Sequence, residues 1–310
     1  MPTSPAHGHI HGFALIAVLG VGCGAPGGSG EIDGGPPDSG ADGGALQHCV
    51  PASDRSELVL YGSSDGTSFT DAVQLFSPAS VPHIFFDAPD DAFLVSFQAF
   101  TDGPLCDRMA YLRLSPNGET LEETRSLAIT SEFFNGFDPT LLAMDDRLVL
   151  SYTVRPPGRT QPCISLAVGD SVDDLVGRDD LLWCSADDAE AFMDSSAIYV
   201  APYILVYIPS DASMTSAQPV NYYAKIDPER WSIVESGQIT GVEMFFLGSI
   251  VATLDAGCPY RFYGTYQEHV RSACSANGVD FVLESSNLLM GADPGVAWSA
   301  GAGYRMVMAR

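Results

Sequence analysis

The chain has 310 residues, and its 14 basic and 39 acidic side chains give a formal net charge of −25. That balance, with Lys225 the single lysine, excludes a nucleic-acid or anionic-lipid surface, because such surfaces need clustered cations to displace counterions from phosphates. A hydrophobic content of 46% is ample for a packed core, and all-β units of roughly 200–250 residues fold as single domains.

Residues 13–21 (FALIAVLGV) form an apolar run too short to span a bilayer. It leads into Gly20-Val21-Gly22-Cys23, which resembles a bacterial lipobox. The resemblance implies an export signal over 1–22 and lipidation of Cys23. The alternative is ordinary signal cleavage near Ala25 and a secreted protein. Gly24, where an aspartate would retain a lipoprotein at the inner membrane, implies the outer membrane or cell surface; periplasmic and secreted locations are the alternatives. The run HGHIHG at 7–12 lies within the segment that export removes, so it is not read as a metal motif. Residues 23–48 are rich in Gly, Pro, Asp and Ser and poor in apolar side chains, which predicts a disordered tether. The folded domain is placed at 49–310.

Setting Cys23 aside leaves Cys49, Cys106, Cys163, Cys184, Cys258 and Cys274, an even set that predicts three disulfides in an exported chain. The repeat described next favours Cys163–Cys184 and Cys258–Cys274 as local links, with Cys49–Cys106 stapling the domain entrance. No Cys/His spacing points to zinc.

From Glu57 onward the pattern is short β-branched and aromatic runs separated by Gly, Asn and Asp turns, with no sustained helical period. Apolar hairpins over 81–98, 137–154, 193–209, 247–266 and 292–308 recur at intervals of about fifty residues. Val81, Asp138, Asp194, Gly248 and Asp293 occupy equivalent places in them. A second repeat follows most hairpins: Ser63-Ser64-Asp65-Gly66, Ser115-Pro116-Asn117-Gly118 and Ser275-Ala276-Asn277-Gly278, with looser copies at 171–174 and 226–231. Asp-Gly and Asn-Gly predict two-residue turns with both central residues at positive φ, joining third and fourth strands. The chain enters on the outer half of a blade and stops after an inner hairpin. Together these predict an all-β, five-bladed β-propeller whose ring is closed by N- and C-terminal strands in one blade.

The turn pattern resembles a degenerate sialidase Asp-box, which implies fold and not activity. The hairpins, with Asp138-Pro139 and Asp293-Pro294 opening inner strands, resemble the five-bladed glycoside hydrolases of the arabinanase and β-xylosidase type. In that family an Asp base, a Glu acid and a tuning Asp project from different blades into a central funnel. The resemblance therefore implies Asp138, Asp194 and Asp293 as catalytic candidates. The first-blade base position holds Val81-Pro82, the acid position holds Asp194 in place of Glu, and Glu243 lies just before an inner strand whose expected place holds Gly248. The competing reading has the three aspartates accepting backbone N–H bonds or facing a cation in the axial channel.

Arg147, Arg261, Arg305 and His83 are candidate ligand-binding residues. Trp183, Trp231 and Trp298 fit sugar stacking or core packing. No metal set and no cofactor is expected beyond that axial cation. The first functional reading is a monomeric, lipid-anchored module binding a glycan or an envelope protein. The second is an inverting glycoside hydrolase using the three aspartates, and the third an assembly platform. Membrane contact is expected through the lipid alone.

Overall fold

A computed structural model describes residues 56–310 apart from 102–104, 106–107, 133–135, 187–189, 210–219, 243–245 and 254. Among these residues the strands form five sheets and no helix. Two strands come first, β1 (Leu58–Ser63) and β2 (Thr70–Phe76). Blade 1 follows from axis to rim as β3 (Ala79–Asp87), β4 (Ala92–Ala99), β5 (Arg108–Leu114) and β6 (Leu121–Ser126). A two-residue strand, β7 (Ile129–Thr130), then pairs in parallel on the outside of blade 2, which is β8 (Phe137–Met144), β9 (Arg147–Val154), β10 (Cys163–Gly169) and β11 (Leu175–Trp183). Blade 3 is β12 (Ser196–Val200), β13 (Tyr203–Pro209), β14 (Asn221–Asp227) and β15 (Ser232–Gln238). Blade 4 is β16 (Phe246–Ala252), β17 (Tyr260–Tyr266), β18 (His269–Ser275) and β19 (Phe281–Met290). The last two strands, β20 (Ala292–Ser299) and β21 (Gly303–Ala309), join β1 and β2 in blade 5.

The five repeated hairpins are thus the inner two strands of the five blades, and the ring closes as the phase of the repeat predicts. β1 runs antiparallel to β21 from Leu58↔Ala309 to Ser63↔Tyr304. Beyond it, Glu57 and Arg310 exchange both backbone hydrogen bonds at 3.0 Å. Such a ring leaves only short exposed edges.

Each blade is apolar on both faces, so five separate cores lie between five pairs of neighbours. The closing strand shows how alternation serves two of them. Leu58 and Leu60 pack with Phe93 and Phe97 of blade 1, whereas Val59 and Tyr61 pack with Tyr263 and Val270 of blade 4. Burial of each large side chain contributes about 1.5–3 kcal/mol.

Near the axis the blades are also joined by buried hydroxyls. Ser96 of blade 1 donates to the Pro139 carbonyl at 2.8 Å and accepts from the Leu141 N–H at 3.3 Å. Thr140 of blade 2 donates to the Ser195 carbonyl at 2.5 Å, and Ser151 and Ser195 share a hydrogen bond of 2.7 Å. Ser196 accepts from Ile250 N–H at 3.0 Å, and Ser249 accepts from Val296 N–H at 3.1 Å. At the fifth joint the backbones meet directly: a Cβ on Gly295 would lie 2.7 Å from His83 Cα. Replacing Ser96 by Ala leaves the Leu141 N–H and Pro139 carbonyl without their bridging partner. The expected loss in urea unfolding is about 1–3 kcal/mol.

The outer turns lie where the repeat puts them, but not in the two-residue form. Gly66, Gly118 and Gly278 have φ of 73°, 74° and 75°, while the preceding Asp65, Asn117 and Asn277 do not take positive φ. The loops are longer and capped by side chains. Ser63 Oγ accepts from the Gly66 N–H at 2.9 Å, and Asp65 Oδ1 accepts from Thr67 and Ser68 N–H at 2.8 Å. Ser275 and Asn277 repeat this arrangement with Gly278, Val279 and Asp280, each at 2.9 Å. A side-chain oxygen that caps the turn removes the need for a second positive φ. These bonds also hold Asp65 down to a pKa of about 2, the Thr67 N–H contributing most.

Both local disulfides are present, Cys163–Cys184 within blade 2 and Cys258–Cys274 within blade 4. Cystines persist in oxidising compartments, so the domain is of an exported kind. Cys23, Cys49 and Cys106, together with the expected signal, tether and lipidation, lie outside the described residues.

Candidate active site

The inner strands begin with a repeated backbone irregularity. In blades 1, 2, 4 and 5 the pairing of the first strand with its second shifts register, between Ser80 and His83, Phe137 and Thr140, Leu247 and Ser249, and Ala292 and Gly295, whereas β12 and β13 of blade 3 pair without a shift. Within these bulges Val81, Asp138 and Asp293 have φ of 47°, 53° and 50°, and Asp194, just before β12, has 50°. Positive φ is unfavourable for side chains other than glycine, and a residue before proline ordinarily stays extended. Three of the four nonetheless precede proline. A bulge re-aims the side chain it carries, and proline lacks the N–H that the bulge would otherwise orphan. The result is that Asp138, Asp194 and Asp293, from blades 2, 3 and 5, point to one end of the axis.

Blade 4 contributes no side chain there for a steric reason. A Cβ on Gly248 would lie 2.4 Å from Pro294 Cδ, so the position must be glycine to admit the bulge of blade 5. Blade 1 contributes Val81 and Pro82, with His83 beneath them. Glu243 lies outside the described residues.

Burial governs the electrostatics of the cluster. Asp138 is buried, and Asp194 and Asp293 are half-buried. Desolvation pushes Asp138 up to about 6 from the usual 3.8, and hydrogen bonds from the Asp194 side chain and backbone offset part of the rise. Asp293 rises to about 7, through burial and then the charge of Asp194. Asp194 lies well above the usual carboxylate range, through burial and then the charge of Asp138. The pair is therefore a protonated Asp194 donating to an ionised Asp138. His83, 5% exposed, is driven down to about 4 by burial and is neutral. The Leu141 backbone is near enough to oppose that shift, yet neither imidazole nitrogen has a well-aligned hydrogen-bond partner.

Asp194 and Asp293 face a cavity of about 10 Å³ that also touches Val81, His83, Thr140 and Ser195. That volume is on the scale of one water molecule. Among the described residues no group of three His, Cys, Asp or Glu side chains is arranged to hold a metal ion.

The candidate arginines are elsewhere. Each begins or lies within a second strand, near the end of the barrel opposite the aspartates, and two of them clamp neighbouring blades. Arg261 donates to the Asp65 carbonyl at 3.1 Å and pairs with Glu284 at 2.8 Å. Arg305 donates twice to the Asn117 carbonyl, at 3.1 and 2.8 Å, and once to Ala302 at 2.6 Å. Asp65 and Asn117 are equivalent turn residues, so the two arginines make the same contact one blade apart. Arg147 borders a separate cavity of about 330 Å³ with Asp145 and Asp146. Sequence reasoning missed this clamp role, and its signal was the pairing of a second-strand Arg with a Ser-x-Asp/Asn-Gly turn in the next repeat. Trp183 packs edge-on against Phe192, and Trp231 lies 5.2 Å from the Arg178 guanidinium.

No family model and no curated protein matches the chain. Among solved structures, it is similar to the endo-arabinase from Bacteroides thetaiotaomicron VPI-5482, at 14% identity and a TM-score of 0.57, over 73% of this chain and 87% of that one. It is also similar to the α-L-arabinofuranosidase CtGH43 from Clostridium thermocellum ATCC 27405, at 10% identity and a TM-score of 0.54, over 73% and 81%. A third is CoXyl43, a β-xylosidase/α-arabinofuranosidase from a compost microbial metagenome, at 11% identity and a TM-score of 0.52, over 75% and 90%. At such identities the likeness is one of fold. The chain is a five-bladed β-propeller whose structural neighbours are arabinanase- and xylosidase-type glycoside hydrolases.

Proposed function

We propose that the protein is an exported, lipid-anchored glycoside hydrolase with an inverting axial site built from Asp138, Asp194 and Asp293. The observation that carries this reading is the convergence of three carboxyls from three blades at one end of the axis, where burial raises all three above the ordinary aspartate range. Hydrolysis needs one carboxyl that keeps its proton and another that is ionised. Asp194 is the acid: its O–H protonates the glycosidic oxygen as the bond to the anomeric carbon breaks. Asp293 is the base: its carboxylate takes a proton from the water whose oxygen forms the new bond to that carbon. Asp138 orients Asp194 and tunes its proton. Asp194 is left ionised and Asp293 protonated, and exchange with solvent resets both. Relative to the family pattern, the base has moved from blade 1 to blade 5, its neighbour in the ring. Blade 4, which lies between acid and base, holds Gly248, and the single-water cavity borders both.

A non-catalytic glycan-binding reading is favoured by a different observation. Blade 1 offers Val81, with no carboxylate, where the family has its base.

Incubation of the full chain with linear arabino- and xylo-oligosaccharides, followed by proton NMR of the anomeric region, separates the two. The hydrolase reading expects product whose first-formed anomer is inverted. Oligosaccharide binding with no product between pH 5 and 8 would establish the binding module.

A further inference from the structure

A large cavity lies at the other end of the propeller. It measures about 1020 Å³ and is bordered by the turn after β20, the turn between β1 and β2, and Glu119 from blade 1. β20 runs from Asp293 at the axial site to Ser299 at this groove, six extended residues or about 20 Å away. The two sites are therefore on opposite faces.

We infer that this groove binds a neutral oligosaccharide, independently of the axial aspartates. Its volume is at the upper end of the range for small-ligand sites, about 300–1,000 Å³. Trp298 borders it half-buried, and its indole N–H makes no hydrogen bond within the described chain. A partly exposed indole offers a face for a sugar ring and a donor for a hydroxyl. Around it Ser64, Ser68, Asp71 and Glu119 are exposed, supplying hydroxyl and carboxylate partners for sugar hydroxyls. Asp71 is held at φ 62°, a costly conformation for this residue, where it accepts a bond from the Thr70 hydroxyl. Arg305 borders the groove with its N–H groups committed to the backbone carbonyls of Asn117, Ala302 and Tyr304. It is therefore a wall and not a grip for an acidic sugar. With two carboxylates in the groove and a chain charge of −25, uronate chains are disfavoured.

The inference shares with the axial reading only the class of ligand, and it stands if that site proves inert. The test is titration calorimetry of the full chain with cellotriose, xylotriose, arabinotriose and maltotriose, with tri-galacturonate as the acidic control. At least one neutral trisaccharide is expected to bind at least tenfold more tightly than tri-galacturonate. Trp298→Ala should weaken it at least tenfold, while Asp194→Asn leaves it unchanged. Ser68→Tyr, at an exposed turn position that fills the groove, should weaken it similarly and covers the case in which Trp298→Ala does not fold. Binding lost in Asp194→Asn but kept in both groove variants would overturn the inference and leave the axial site as the sugar site. Absence of binding by every neutral trisaccharide would overturn it as well.

Discussion

Asp194→Asn is expected to reduce glycoside turnover by about 10²–10⁴-fold, the range contributed by one positioned acid, while the folded state survives. Asn keeps the shape and can still donate to Asp138, so the ring joint made by the Ser195 carbonyl and hydroxyl is preserved. What is lost is the proton. A leaving group that needs no protonation, such as a nitrophenolate, should recover much of the rate in the variant, whereas an alkyl leaving group should not. A merely structural role for Asp194 would affect both leaving groups equally. The measurement is kcat for the two substrate types at matched pH.

The second large effect is on stability as a function of pH. Asp138 titrates near 6 and Asp293 near 7 in the folded protein, against 3.8 for an ordinary aspartate. Raised folded values mean that the native state holds protons that the unfolded state has released. The stabilisation is complete below about pH 4 and is lost as pH rises through 6 and 7. At about 1.4 kcal/mol for each unit between folded and unfolded values, the two groups together account for a change on the order of 7 kcal/mol. His83 acts in the opposite sense. Its folded value near 4 means that stability is lost as pH falls from the ordinary histidine value of 6.5 toward 4. Wild-type curves combine both slopes, so the informative quantity is a difference between variants. Asp293→Asn should be no more stable than wild type at pH 4 and should gain steadily on it to pH 8. Urea midpoints at several pH values read this directly, and a difference that does not change with pH would contradict the burial of the cluster.

The fold was largely legible because its signals recur. Asn-Gly and Asp-Gly turns and hairpins with Asp-Pro openings return at nearly constant spacing, and a chain starting on outer strands and ending on inner ones has one way to close. The same spacing placed Val81, Asp138, Asp194, Gly248 and Asp293 in equivalent positions, and the structure brings the three aspartates to one axial end.

What escaped the sequence depends on contacts between repeats. Gly248 is glycine because Pro294 of the next blade occupies the space of its Cβ. Ser96, Thr140, Ser196 and Ser249 join four blade interfaces, yet an isolated hydroxyl in a strand has no distinctive pattern. Arg261 and Arg305 have the chemistry of ligand-gripping residues, and only the neighbouring turn carbonyls reveal them as clamps. The turns were misjudged because Asn-Gly was weighed without the serine three residues before the glycine, whose hydroxyl caps the loop.

The protonation of the axial carboxyls is the claim on which the chemistry rests, and carboxyl-carbon NMR of the aspartate-labelled protein measures it most directly. With resonances assigned through single Asp→Asn variants, Asp138 should titrate near pH 6, Asp293 near 7, and Asp194 well above the ordinary aspartate range. Three midpoints close to 4, as for aspartates in water, would contradict the account.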